Sequence, residues 1–89
     1  MSWAINYSKE ALKFLSINKL SEEELDNDFV KVIKKLKGEN INIDIKKMKG
    51  EWVGYYRLRE RKMRIIFSID FDEQIIYVDR IDYRGNIYK

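Results

Sequence analysis

Residues 51–82, EWVGYYRLRERKMRIIFSIDFDEQIIYVDRID, decide the fold. From Glu51 to Glu60 the side chains alternate, with Trp52, Tyr56 and Leu58 on one side and Val53, Tyr55, Arg57 and Arg59 on the other. A period of two belongs to a strand with one buried face. Glu60–Lys62 makes a turn, and Met63–Asp70 repeats the alternation, setting Met63, Ile65, Phe67 and Ile69 against Arg64, Ile66 and Ser68. Phe71–Glu73 turns again, Gln74–Asp82 completes a three-stranded antiparallel meander, and Tyr83–Lys89 follows as a short tail.

Upstream the period changes to that of helices. Ser21 with Glu24 has capping-box spacing, and Glu22 and Glu23 place further carboxylates at the positive end of the helix dipole. Leu25, Phe29, Val32, Ile33 and Leu36 then form one apolar stripe, Lys34, Lys35 and Lys37 load the last turns, and Gly38 ends the helix. A shorter helix precedes it, capped by Ser8, with Ala11, Leu12, Phe14 and Leu15 apolar and Asn18–Leu20 as the break. Trp3–Tyr7 reads as an opening strand, and Glu39–Gly50 as a connecting loop with room for a short strand. The expected architecture is α+β: an N-terminal strand, a two-helix hairpin and the meander, with both helices on one sheet face. The other face is left for a partner or substrate.

Composition narrows the chemistry. The chain has 89 residues, enough for one core and therefore one domain, 1–89. It has no Cys, His or Pro, which removes zinc fingers, thiolate nucleophiles, disulfide frameworks and imidazole catalysis. Any catalysis must use Arg, Lys, Tyr, carboxylates or hydroxyls, and no cofactor or metal site is expected. Met1–Leu15 is interrupted by Lys9, Glu10 and Lys13, so no signal peptide or membrane span is read there, and the cytoplasm is the expected location.

The net charge of +3 is modest, but its distribution is uneven. All six Arg lie between positions 57 and 84, whereas ten of the twelve Lys lie in the first fifty residues. Arg presents a rigid fork of donors that fits phosphate and can stack on bases. Arg57, Arg59, Arg61, Lys62 and Arg64 place five cations in eight residues, and Tyr55, Tyr83 and Tyr88 are interleaved with or flank the Arg positions. Single-stranded RNA is bound by such mixtures of cations and rings. The structural alternative is a strand surface whose Arg pair with Asp70, Asp72, Asp79 and Asp82, and whose Tyr cap the core.

The order of these segments resembles the RelE/ParE superfamily of toxins from type II toxin–antitoxin systems, in its RelE-like branch. The resemblance spans essentially the whole chain: the opening strand and SKEALKFL, KMKG, YYRLR at 55–59, MRIIFSID at 63–70, and IYVDRIDYRGNIYK at the end. It implies a ribosome-dependent mRNA endonuclease that cleaves without metal by 2′-OH attack. Arg64, Arg84, Tyr88 and either Arg57 or Arg59 match the positions that carry the chemistry in mRNA-cleaving members, although those usually have Lys on the preceding strand. Where relatives often have His before the terminal Arg, this chain has Tyr83, so no imidazole role transfers.

By that resemblance Tyr88 would be the general base, its phenol lowered from about 10 by neighbouring Arg. Arg64 would hold the scissile phosphate, and Arg84 would stabilise charge on the leaving-oxygen side. Such a site is weak alone, so positioning of the mRNA would come from the ribosome. The implied partners are the ribosome with mRNA and a cognate antitoxin protein in a toxin–antitoxin hetero-oligomer, with no membrane. Two other readings stay open: a ParE-like toxin that inhibits DNA gyrase by protein binding, and a non-catalytic RNA binder.

Overall fold

In the computed structural model, residues 3–83 are described. The elements run β1 (Ala4–Tyr7), α1 (Lys9–Ile17), α2 (Glu22–Leu36), β2 (Asp44–Lys47), a 3₁₀ turn (Gly50–Trp52), β3 (Tyr56–Glu60), β4 (Met63–Asp70) and β5 (Ile75–Tyr83). The strands make one sheet in the order β1-β5-β4-β3-β2. β1 pairs parallel with β5, and the other pairings are antiparallel. The parallel pair needs a crossover, and the helices supply it.

Both helix starts follow the sequence reading. The Ala11 N–H donates to Ser8 Oγ at 3.1 Å. The Ser21 N–H donates to Glu24 Oε2 at 2.9 Å while the Glu24 N–H donates to Ser21 Oγ at 3.2 Å, a reciprocal box. α2 closes with Gly38 at φ +93, a left-handed position that lets the Gly38 and Glu39 N–H groups reach the carbonyls of Lys35 and Lys34.

The core lies between the helices and one sheet face. Ala11 and Leu15 of α1 and Leu25, Phe29 and Val32 of α2 pack on Leu58, Met63, Ile65, Phe67, Ile76, Val78 and Ile81. Phe67 is central: Phe29 meets it edge-on at 5.1 Å and Tyr56 stacks on it at 5.5 Å. On β5 the buried positions step from 76 to 78 and then to 81, because a bulge separates the pairs Phe67–Val78 and Ile66–Arg80 and leaves Asp79 without a cross-strand partner.

Three sequence expectations are corrected. Asp44–Lys47 is a strand, so the antiparallel run has four strands and not three. Its short DIKK stretch carries one apolar residue, Ile45, enough for an edge strand with a single partly buried side chain. The strand read from Glu51 begins at Tyr56, since the 3₁₀ turn and the positive φ at Gly50 and Gly54 break the alternation. Trp52 therefore leaves the core face on which it was expected. Tyr83 belongs to β5 and not to a tail.

Candidate nucleic-acid interface

The helix-free face is built by register. Arg57 on β3 lies opposite Lys46 on β2 and Ile66 on β4, and Ile66 lies opposite Arg80 on β5. Arg59 lies directly opposite Arg64. Residues opposed in a sheet project to the same side, so Lys46, Arg57, Arg59, Arg64 and Arg80 share the face away from the helices. Like charges facing each other across a strand pair are unfavourable, and here a carboxylate flanks the pair on each side, Asp44 opposite Arg59 on β2 and Asp82 opposite Arg64 on β5.

Carboxylates stand beside these cations, Asp79 next to Arg80 at 3.5 Å among them. Arg57 Nη2 donates to Asp44 Oδ1 at 2.8 Å, with the Arg57 side chain 13% exposed. Asp82 stands opposite Arg64 in the register. The Nε atoms of Arg57 and Arg59 are buried with no hydrogen-bond partner among the described residues. A buried unmet donor costs about 1–3 kcal/mol.

Aromatic groups border the cations. The Arg80 guanidinium lies over the Trp52 ring at 5.6 Å, and Trp52 meets Tyr55 edge-on at 5.5 Å. Neither Trp52 nor Arg80 was among the sequence candidates; the signal that could have found Trp52 is the pair Gly50 and Gly54, which marks the turn that frees it.

The sequence candidates separate into groups. Tyr55, Arg57, Arg59 and Arg64 come together on the helix-free side. Arg61 does not join them: it sits in the β3–β4 turn, where Nη1 and Nη2 donate to Asp28 Oδ1 and Oδ2 at 3.1 and 2.8 Å. Asp28 is 5% exposed, so Arg61 ties the hairpin to α2. Lys62 is exposed at that turn's second position. Tyr83 faces the helices, with its ring 5.3 Å from Phe14 and its hydroxyl donating to Asn18 Oδ1 at 2.9 Å. Arg84 and Tyr88 lie outside the described residues.

Tyr7, which the sequence did not single out, is held on α2. Its hydroxyl donates to Asp26 Oδ1 at 2.7 Å, and burial together with that carboxylate pushes the phenol far above the ordinary tyrosine range. That is opposite to what a general base requires, so Tyr7 anchors β1 to α2.

An α+β architecture of two helices on one face of a five-stranded mixed sheet is the fold of the RelE-type toxins. Solved structures covering nearly the full chain share it. The archaeal RelE–RelB complex from Pyrococcus horikoshii OT3 is 21% identical with TM-score 0.65, covering 97% of this chain and 99% of that chain. The E. coli DinJ–YafQ toxin–antitoxin complex is 14% identical with TM-score 0.66 and full coverage of both chains. The YoeB–YefM toxin–antitoxin complex of Staphylococcus aureus is 18% identical with TM-score 0.62, over 94% of this chain and 99% of that one. No family model matches the sequence, and no curated protein matches it. Among the described residues no helix is long and apolar enough to cross a membrane.

Proposed function

We infer that this protein is the toxin of a type II toxin–antitoxin system, acting as a ribosome-dependent endonuclease on mRNA. The observation that carries the reading is the face on which Arg59 opposes Arg64 beside Arg57, with the Nε donors of Arg57 and Arg59 buried and unmet. Arginine forks grouped on one face match the oxygens of phosphate. The shared fold with toxins solved in complex with antitoxins supports an antitoxin partner.

In this reading Arg64 holds the scissile phosphate and the charge that grows on it during attack by the 2′-OH. Arg57 and Arg59 bind the flanking phosphates. Tyr88 takes the 2′-OH proton and Arg84 stabilises the leaving 5′-oxygen; both assignments rest on the sequence resemblance. An arginine is a poor acid because its pKa exceeds about 12, so its contribution is electrostatic. No metal enters the reaction. The ribosome orients the message, and free RNA is a poor substrate.

Controlled expression with primer extension on an abundant mRNA tests this, comparing wild type with Arg84→Ala and Tyr88→Phe. Cuts confined to translated regions and lost in both variants are expected. Growth arrest with intact message and inhibited gyrase would overturn the reading in favour of a ParE-like activity, and absence of arrest would leave a non-catalytic binder.

A further inference from the structure

Beside the arginines, on the same sheet face, lies a cavity of about 240 Å³ whose lining includes Asn6, Tyr55, Ser68, Tyr77 and Asp79. The register explains its position: Tyr77 lies opposite Asn6 on one side and Ser68 on the other. Tyr55 and Tyr77 supply aromatic surface, and Ser68, Asn6 and Asp79 supply polar groups.

The cavity is braced from two directions. Tyr55 is held edge-on by Trp52, which in turn lies under the Arg80 guanidinium. Asp79 is the extra residue of the β5 bulge, and the Ser8 hydroxyl that accepts from the Ala11 N–H also donates to the Asp79 carbonyl. The start of α1 thus fixes the bulge.

Its electrostatics differ from those of the arginine face. The Asp79 carboxylate stands 3.5 Å from Arg80 Nε and is 38% exposed. A carboxylate at the rim repels phosphate but accepts from an amine. Phosphate belongs on the arginines, and an aromatic group carrying N–H donors belongs in the cavity.

We propose that the cavity bounded by Tyr55, Tyr77 and Asp79 receives one unpaired nucleobase and favours bases with an exocyclic amine. The proposal rests on the reading that the arginine face holds RNA phosphates and adds a base-selective site to it. Stacking on the tyrosine rings supplies affinity, and the Asp79 carboxylate separates cytosine, adenine and guanine, each with an exocyclic amine to donate, from uracil, whose one N–H lies between two carbonyl oxygens that a carboxylate repels.

The test is titration of the purified full chain with CMP, AMP, GMP, UMP and ribose 5-phosphate, followed by amide chemical shifts. The amine-bearing nucleotides should bind more tightly than UMP, and UMP more tightly than ribose 5-phosphate. Tyr77→Ala should weaken every nucleotide by about tenfold and leave ribose 5-phosphate unchanged. Tyr77→Leu, which keeps an apolar side chain on the strand without a ring, should do the same. Asp79→Asn should bring UMP level with CMP. Ribose 5-phosphate binding as tightly as CMP, unchanged nucleotide affinity in both Tyr77 variants, or no binding of any nucleotide at millimolar concentration would overturn the proposal. Arg57→Gln and Arg59→Gln report separately on the phosphate reading: if they leave ribose 5-phosphate affinity intact, that reading fails whatever the base preference.

Discussion

Arg61 was a candidate RNA contact by sequence, and the structure makes it a tie between the β3–β4 turn and α2. The consequence is a double-mutant cycle with an unusual sign. Arg61→Ala removes two charge-assisted hydrogen bonds, at 3.1 and 2.8 Å, and strands the Asp28 carboxylate, which is 5% exposed. Breaking a buried pair from one side costs 3–5 kcal/mol, and because the Arg61 side chain is 45% exposed a discounted value of about 2–3 kcal/mol applies here. Against the roughly 4–13 kcal/mol expected for a domain of this size, that is a large share, and it lowers Tm by about 10–20 °C. Asp28→Ala should cost only about 1 kcal/mol, because the half-exposed guanidinium returns to water. The double variant should then be more stable than Arg61→Ala alone. Alanine keeps the Cβ, so the backbone at position 61, φ +48, is equally strained in both single and double variants. Thermal and urea unfolding followed by circular dichroism measure all four species. A double variant less stable than Arg61→Ala, or an Arg61→Ala cost below about 1 kcal/mol, would refute the reasoning. If the double variant also retains full RNA affinity, Arg61 is no part of the RNA interface.

Three other outcomes are expected. Arg59→Gln relieves the opposition to Arg64 and should leave stability unchanged or raise it by about 0.5 kcal/mol, while weakening RNA binding and flattening its salt dependence, as read by melting and by titration at several salt concentrations. Lys62→Gly places glycine at φ +67 in a two-residue hairpin turn and should add about 0.5–1 kcal/mol, measured by urea unfolding. The Ser21 N–H and hydroxyl hold the Glu24 carboxyl below the ordinary glutamate range, so its contribution is present at neutral pH and is lost as pH falls through the folded-state value. Glu24→Gln should therefore melt below wild type at pH 7, and the gap should close as pH drops well under about 4.3.

Local signals were legible in the sequence, and long-range ones were not. Ser21 and Glu24 form their box because both partners lie within one turn, and in Met63–Asp70 the alternation correctly buries Met63, Ile65 and Phe67, while Ile66 is buried from the opposite face and Ile69 only in part. The two helices and the meander followed from such near-neighbour periodicities. The strand at Asp44–Lys47 offers one apolar residue, too few to register a period. Trp52 was put on the core side because alternation was carried through Gly54, whose positive φ ends it. For the candidate site, alternation alone placed Arg57, Arg59 and Arg64 on one face. The Asp28 partner of Arg61 lies 33 positions away, and the Asn18 partner of Tyr83 lies 65 away. No local pattern announces such contacts. Arg80 joined the face only because a bulge, itself a product of pairing, shifted the parity of β5.

The parallel pairing of β1 with β5 has a further meaning for the birth of the molecule. Ser8 and Asp79, tied by the Ser8 hydroxyl, are 71 positions apart, so the opening strand waits for both helices and three further strands before it finds its neighbour. Distant pairings of this kind close late in folding. While the chain is being synthesised, β3 and β4 can form their hairpin, but Arg80 and Asp79 have yet to take their places beside it. A nascent chain that has not reached β5 lacks both the completed basic face and the cavity beside it. If the ribosome is the target, the binding face it would meet is assembled only when the last strand of the sheet joins the hairpin.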